Sequence, residues 1–383
     1  METAQLLFSC ICSVLTNTPL KPEVQNALSA QTLSAVYRLS EKHDMSHMVG
    51  MVLSHTDTQK GEETAKFEKK LWLALSRYER IRHEQDRICE TLEQAEIPFI
   101  PLKGAVIRRY YPEPWMRTSC DIDILVQEQD IDRAIAALTE RLQYTANEKR
   151  SYHDISLYSP GKVHLELHFN IKEGKPQFDT ILVNAWDYAL PVAGKTYQHE
   201  FSLSFLKFHL LAHTAYHFLG GGCGIKPLVD LWLLDKNIPD DTVFCDLLEQ
   251  SGLTVFTQKI RKLYRVWFES EKPDTTCEAM QAYILRGGVY GTIKNKVAVR
   301  QQLDGGKWGY VRSRLFISYE FLQYQYPIIK KHRWLSPVMQ VCRWFRLLFC
   351  GGIDRSKRQV DLNFQVDKDK ADSMKQLLHD VGL

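Results

Sequence analysis

The sequence predicts an α+β fold in which a small mixed sheet is embedded between helical N- and C-terminal segments. Two observations lead to this fold class. Apolar residues recur at helical spacing from residue 6 to about residue 96, and again from residue 201 onward. Between residues 97 and 171 the period shortens to two, which is typical of short strands. With 383 residues and 44% hydrophobic content, the chain is long enough for two or three domains.

The predicted elements follow one another in a simple order. The N-terminal segment ends in a long amphipathic helix that includes Phe67 and continues through Leu92. Four strands follow, two helices interrupt them, and helical periodicity then returns. The strands are 98–102, 122–126, 153–158 and 163–169, the interrupting helices are 105–111 and 129–142, and the later helices are 202–219, 226–234, 241–250, 254–270 and 276–285.

These patterns divide the chain into four predicted parts. The first is a helical N-terminal segment, 1–96, and the second is the α+β domain, 97–200. A helical C-terminal domain, 201–352, and a tail with a short helix, 353–383, complete the chain.

The composition indicates a cytoplasmic protein without a membrane span. Lys and Arg total 49 against 46 Asp and Glu, so the net charge of +3 gives no global reason to bind nucleic acid or an anionic membrane. The nine cysteines are scattered, odd in number and without a Cys-x-x-Cys pair, which favours reduced thiols. The N-terminus has no positively charged leader region, and no run of apolar residues is long enough for a transmembrane segment.

Two aspartates stand at the start of the second predicted strand. Asp121 and Asp123 project from one face, while Ile122 and Ile124 point to the core. Neighbouring carboxylates repel each other unless a cation lies between them, and Mg²⁺, or Mn²⁺ in its place, suits such oxygen ligands. A third acid, Glu166, lies on the polar face of a later alternating strand. The alternative remains open that the aspartates only form a turn or a solvated strand end.

A glycine turn precedes this strand. The run Pro101-Leu-Lys-Gly-Ala-Val ends one strand and opens a helix, whose N-terminal N–H groups suit a triphosphate. Gly104 permits close approach of the backbone, and Lys103 adds a positive charge. An ordinary strand-to-helix turn with a surface lysine is the alternative interpretation.

Together these residues resemble the DNA polymerase beta-like nucleotidyltransferase superfamily, whose signature is a glycine turn, a helix and a strand bearing Asp-x-Asp. More narrowly, the chain is similar to the uncharacterised bacterial nucleotidyltransferase family with a Leu-Lys-Gly motif. The resemblance extends over residues 97–349. It is carried by Leu102-Lys-Gly, Tyr111-Pro-Glu-Pro, Arg117, Asp121-Ile-Asp-Ile-Leu-Val and Glu166-Leu-His, and more loosely by His213, His217 and Asp230.

The resemblance implies an enzyme that moves a nucleoside monophosphate from an NTP such as ATP to an acceptor and releases pyrophosphate. Asp121 and Asp123 would hold Mg²⁺ or Mn²⁺, and Glu166 would orient or deprotonate the acceptor hydroxyl. Four residues are assigned to the nucleotide. They are Lys103 and Gly104 at the triphosphate, Arg117 as a clamp near the leaving pyrophosphate, and His168 on the polar face with Glu166.

Three histidines recur every four residues on one predicted helix. His209, His213 and His217 would share a helix face, but Thr214 replaces the glutamate of the zinc-protease motif. A structural or acceptor-contacting role facing the α+β domain is therefore the better interpretation, with Asp230 as a hydrogen-bond partner for one of them.

Two further functions stay open on the sequence. The same fold suits a non-catalytic module that binds a nucleotide or a partner. The basic aromatic region 330–346 suits an RNA-modifying nucleotidyltransferase of a stress system. The acceptor, whether a small molecule, a peptide or RNA, does not follow from the motifs, and neither do the preferred base, the number of metals and the oligomeric state.

Overall fold

A computed structural model describes residues 2–56, 61–147, 151–289, 291–349, 353–366 and 368–383. The fold is α+β, as the sequence predicts, with helices on both sides of the sheet in chain order. The helices are α1 Thr3–Thr16, α2 Pro22–Ala27, α3 Ala30–Lys42, α4 Ser46–Ser54, α5 Glu62–Gln94, α6 Gly104–Ile107, α7 Ile131–Leu142, α8 Pro176–Leu182, α9 Leu203–Leu219, α10 Lys226–Asn237, α11 Thr242–Ser251, α12 Thr254–Phe268, α13 Thr275–Gly287, α14 Ile293–Leu303, α15 Lys307–Leu315, α16 Tyr319–Gln325, α17 Ile328–Lys331, α18 Ser336–Phe349, α19 Ile353–Gln365 and α20 Lys368–Asp380.

The sheet has five strands in the order β1-β2-β5-β4-β3. It is mixed, because β2 and β5 run parallel while the other neighbours run antiparallel. A separate two-stranded hairpin, β6 with β7, follows it. The strands are β1 Phe99–Pro101, β2 Asp121–Val126, β3 Thr145–Ala146, β4 Asp154–Tyr158, β5 His164–His168, β6 Ala189–Pro191 and β7 His199–Phe201.

The sheet has an apolar face and a polar face. On the apolar face, Ile122, Ile124 and Leu165 are buried in a core that also includes side chains of α5 and α7. Because side chains alternate along a strand, the intervening positions of β2 and β5 project from the opposite face. This confirms the alternation that the sequence predicts, and it gathers the acidic residues on one side.

Helix α5 joins the sheet to the N-terminal helices. It is 33 residues long, so its two ends reach different cores. Phe67 packs into the large helical core, whereas Ile88 and Leu92 pack against the sheet. The N-terminal segment and the sheet are thus connected through a shared rigid helix.

Several short elements differ from the sequence predictions. The hairpin β6 and β7, with three residues in each strand, is too short for a periodicity to be recognised. The sequence predicts one short helix after residue 352, and the structure has two, α19 and α20. Leu377, Leu378 and Val381 are buried in or just after α20, so the tail packs onto the helical core.

In the part of the chain that the structure describes, no helix combines the length and the apolar character that crossing a membrane requires.

Candidate active site

The polar face of the sheet centres on Asp123. Its position on β2 pairs with Glu166 on the parallel strand β5. The Asp123 carboxylate is 6% exposed, and its Oδ1 accepts hydrogen bonds from Lys103 Nζ at 2.9 Å and from His168 Nε2 at 3.1 Å. Burial alone would raise the pKa of Asp123, but Lys103 and His168 outweigh it and hold that pKa well below its usual range. Asp123 is therefore favoured as an anion.

Asp121 and Glu166 complete an acidic cluster. Asp121 is half-buried, and among the described residues its carboxylate forms no ion pair or side-chain hydrogen bond. Burial and the neighbouring charges of Asp123 and Glu166 raise the pKa of Asp121. Ligand atoms of Asp121, His164 and Glu166 lie within 4.8 Å of one another, and so do those of Asp123, Glu166 and His168. The donor set is rich in carboxylate oxygens and suits a divalent cation.

Lys103 supplies the positive charge at this cluster. Burial opposes its charged form, but the contact with Asp123 raises the pKa of Lys103. Its backbone has φ 45°, a conformation that L-residues rarely adopt. Such strain costs about 1–3 kcal/mol and concentrates at functional sites. The next residue, Gly104, is tightly packed, since an added Cβ would lie 3.2 Å from Arg117 Nη1 and that side chain would have to shift.

Arg117 connects the glycine turn to the helical region. Its guanidinium donates to Asp230 on α10 through Nε at 3.1 Å and Nη2 at 2.8 Å, and Tyr111 Oη donates to the same carboxylate at 2.7 Å. Arg117 Nη1 also donates to the Thr118 carbonyl at 3.0 Å. The side chains of Arg117 and Asp230 are only 12% and 3% exposed. Arg117 thus anchors the turn, and its contact with pyrophosphate stays a prediction.

The histidines of α9 face a glutamate that sequence reasoning missed. His213 Nδ1 is hydrogen-bonded to Glu173 at 2.6 Å, and His213 Nε2 lies 3.0 Å from His217 Nε2. Asp230, expected as a partner of these histidines, binds Arg117 instead. Glu173 lies in the loop after β5, where no periodicity marks it. Its position next to α9 depends on the tertiary fold.

Two other residues of the site also escaped sequence reasoning. His164 shares the polar face with Glu166, and the alternation of β5 contained the signal for it. His153 stacks on His168 with ring centroids 5.4 Å apart. No sequence pattern indicates that contact, because His153 directly precedes β4 whereas His168 is the last residue of β5.

Acid should destabilise the fold through the α9 histidines. Burial, with a smaller effect of His213, lowers the pKa of His209 to about 3. Because the folded-state pKa lies below the unfolded value, this contribution to stability is complete above about pH 6.5 and is lost as the pH falls toward 3. We expect His209 to lower the free energy of unfolding by about 1 kcal/mol for each unit that the pH falls in this range. The free energy of unfolding, measured by urea denaturation from about pH 6 to pH 4.5, should fall less steeply in His209→Phe.

The control for this prediction is His83→Phe, which replaces an exposed histidine. An equal pH dependence in His209→Phe and the parent would contradict the assigned role.

The comparisons with known proteins now decide the family. A family model described as uncharacterised nucleotidyltransferase matches residues 29–269. The chain belongs to this nucleotidyltransferase family. The matched range includes α5, the whole sheet and helices α9 to α12, so it contains every residue of the acidic cluster. The protein is therefore a nucleotidyltransferase, as the resemblance of its motifs predicts.

Other comparisons add little to the family assignment. The solution structure of the antibiotic-resistance factor ANT(2'')-Ia is similar at 12% sequence identity, over 48% of this chain and 87% of that one, with a TM-score of 0.25. At that TM-score the likeness carries no argument about this chain. A comparison with curated proteins found no match.

Proposed function

We propose that this nucleotidyltransferase moves a nucleoside monophosphate from an NTP to a hydroxyl of an acceptor, with Asp121, Asp123 and Glu166 as its catalytic carboxylates. One observation carries the proposal. Three acids from β2 and β5 converge on one sheet face, and one of them, Asp121, has no ion pair or side-chain hydrogen bond among the described residues. An acidic cluster with an unbalanced carboxylate is a favourable site for a cation and its bound phosphates.

The three carboxylates would hold Mg²⁺ or Mn²⁺. When bound, such an ion supplies positive charge that stabilises the phosphoryl oxygens of the nucleotide. The fit is chemical, because carboxylate oxygens are the ligands that these ions prefer. Lys103 and His168 balance the charge of Asp123. Both also fix the orientation of its carboxylate.

The side chains in and around the acidic cluster would assist the transfer step itself. The acceptor hydroxyl oxygen would form a bond to the α-phosphorus, and the bond from that phosphorus to the bridging oxygen would break. Pyrophosphate leaves with the bonding electrons, and Glu166 takes the hydroxyl proton. Lys103 Nζ, which donates to Asp123 Oδ1 at 2.9 Å, would bind a phosphate oxygen, and His168 would keep Asp123 oriented.

Transfer of radioactive label tests this function. Each α-³²P-labelled NTP is incubated with Mg²⁺, a cell extract and either the parent or the Asp121→Asn, Asp123→Asn double variant. We expect the parent, and not the variant, to transfer label to an acceptor in a cytoplasmic extract. Among the labelled NTPs, we expect ATP to be the donor. Equal labelling by the parent and the variant would show that the two aspartates take no part in the reaction. Binding of NTP by the parent without any labelling would favour the non-catalytic module.

Lys103→Ala should weaken nucleotide binding. The substitution removes the only lysine in ion-pair contact with Asp123 among the described residues, and with it a charge-assisted contact to phosphate. We expect the KM for NTP to rise roughly tenfold to a hundredfold, since a hydrogen bond to a charged group contributes about 1.5–3 kcal/mol. Steady-state kinetics measure this, with Lys103→Arg as the variant that keeps the charge. An unchanged KM in Lys103→Ala would show that the triphosphate binds elsewhere.

A further inference from the structure

A cleft with charged and aromatic residues in its wall opens between the loop after β5 and the later helices. Its volume is about 950 Å³. The loop before α8 and the end of α9 form one side, and residues of α14 to α16 form the other. Cavities of this size are typical of sites for small molecules.

The cleft has more positive than negative charge available to a ligand. Lys172, Lys175 and Arg300 line it, and among the described residues none of the three forms an ion pair. The acids in the wall are engaged, because Glu173 is hydrogen-bonded to His213 and Asp179 accepts from the Glu173 backbone N–H at 2.7 Å. The cleft therefore favours an anionic occupant.

Lys175 and Arg300 are two cations of the cleft wall whose charges act on each other. Lys175 lies in the loop before α8, and Arg300 lies on α14. Burial, and after it the charge of Arg300, lowers the pKa of Lys175. Two like charges held near each other attract a group that offers oxygens to both, as a phosphate does.

Aromatic rings form the rest of the wall. Tyr152 and Phe321 meet edge to face with ring centroids 5.8 Å apart, and Tyr216 lines the same side. Phe316 and Phe321 are 55% and 42% exposed, so their faces are accessible from the cleft. Rings beside cations suit a ligand with a flat or cyclic body and a charged end.

The wall of the cleft contacts residues that support the acidic cluster. Tyr152 contacts His153 with ring centroids 4.2 Å apart, and His153 stacks on His168, the hydrogen-bond partner of Asp123. On the same side, the charge of Lys103 acts on Glu173. Tyr152, His153 and His168 therefore connect the wall of the cleft to Asp123 through direct side-chain contacts.

We propose that this cleft is the acceptor site, and that the acceptor is a small molecule carrying a phosphate monoester. Its phosphate lies between Lys175 and Arg300, its body packs on Tyr152 and Tyr216, and its hydroxyl points to Asp123 and Glu166. The inference rests on the proposed nucleotidyl transfer, and it narrows the acceptor from any hydroxyl compound to a phosphorylated one.

Calorimetric titration of the full chain with phenyl phosphate, without NTP or metal, tests the site. Benzyl alcohol is the uncharged counterpart of this probe. We expect saturable binding of phenyl phosphate only, and roughly tenfold to hundredfold weaker binding in the Lys175→Ala, Arg300→Ala double variant. The matched control is Lys69→Ala, Arg80→Ala, which removes two exposed cations of α5. Thermal unfolding checks that each variant is folded.

The outcomes separate this inference from the proposed reaction. The Asp121→Asn, Asp123→Asn double variant should still bind phenyl phosphate, since those residues lie outside the phosphate site. Binding of phenyl phosphate by the parent without any label transfer would support the cleft while rejecting the reaction. Absent binding, equal binding of benzyl alcohol, or unchanged affinity in the cleft variant would overturn the inference. An equal loss in Lys103→Ala would assign the probe to the triphosphate site and also overturn it. Displacement by a short single-stranded RNA with a steep salt dependence would indicate a polymeric acceptor instead.

Discussion

Replacing Asp123 with asparagine should reduce nucleotidyl transfer roughly a thousandfold, because the proposed cation and the transition-state charge depend on this carboxylate. Asp123 is buried, and it accepts hydrogen bonds from both Lys103 and His168, which favour its anionic form. Asparagine has nearly the same shape but no charge. Because Lys103 loses its ionic partner in this variant, thermal unfolding checks that the protein is still folded when the rate is measured. Single-turnover transfer from α-³²P-labelled NTP measures the effect.

The control for this prediction is Asp187→Asn. Asp187 is exposed and outside the cluster, so this variant removes the same charge without touching the site. Its rate should match that of the parent. A loss of less than about tenfold in Asp123→Asn would mean that Asp123 serves the fold alone.

Breaking the Arg117–Asp230 pair should have the largest effect on stability. Both side chains are nearly buried, and their atoms approach to 2.8 Å. Removal of one partner leaves a buried charge without compensation, which costs about 3–5 kcal/mol. Arg117→Met should therefore lower the free energy of unfolding by about that amount. Urea denaturation followed by circular dichroism measures it.

A double-mutant cycle identifies the cause of this loss. When Asp230→Leu is added to Arg117→Met, no unpaired charge remains, so the double variant should lose much less than the sum of the single variants. Tyr111 Oη loses its acceptor in both Asp230 variants, and Tyr111→Phe measures that contribution separately. Additive losses would contradict a direct ionic interaction. Normal stability of Arg117→Met together with a raised KM for NTP would instead indicate that Arg117 contacts the nucleotide.

Sequence reasoning reached the acidic cluster because local periodicity determines it. Asp121 and Asp123 are two positions apart on a strand whose isoleucines must face the core, so their common face follows from strand geometry. The alternation of β5 places Glu166 and His168 together in the same way. The alternation indicates Glu166 as a third acid, but the parallel pairing that brings it beside Asp123 depends on the tertiary fold.

Contacts between distant elements did not follow from the sequence. Arg117 and Asp230 are 113 positions apart, and Glu173 and His213 are 40 apart. A charged residue in a loop has no periodic neighbour that indicates its partner. The prediction of Asp230 beside a histidine failed for this reason, because α10 presents that carboxylate to the glycine turn. The cleft likewise depends on how α14 to α16 pack against the loop before α8.

We propose that Asp121, Asp123 and Glu166 together hold a divalent cation for the nucleotide. Anomalous scattering from crystals grown with Mn²⁺ and a non-hydrolysable NTP analogue tests it most directly. We expect a manganese peak in contact with these carboxylates and with the phosphates, and no such peak in the Asp121→Asn, Asp123→Asn variant. A bound nucleotide with manganese elsewhere, or with none at all, would contradict it.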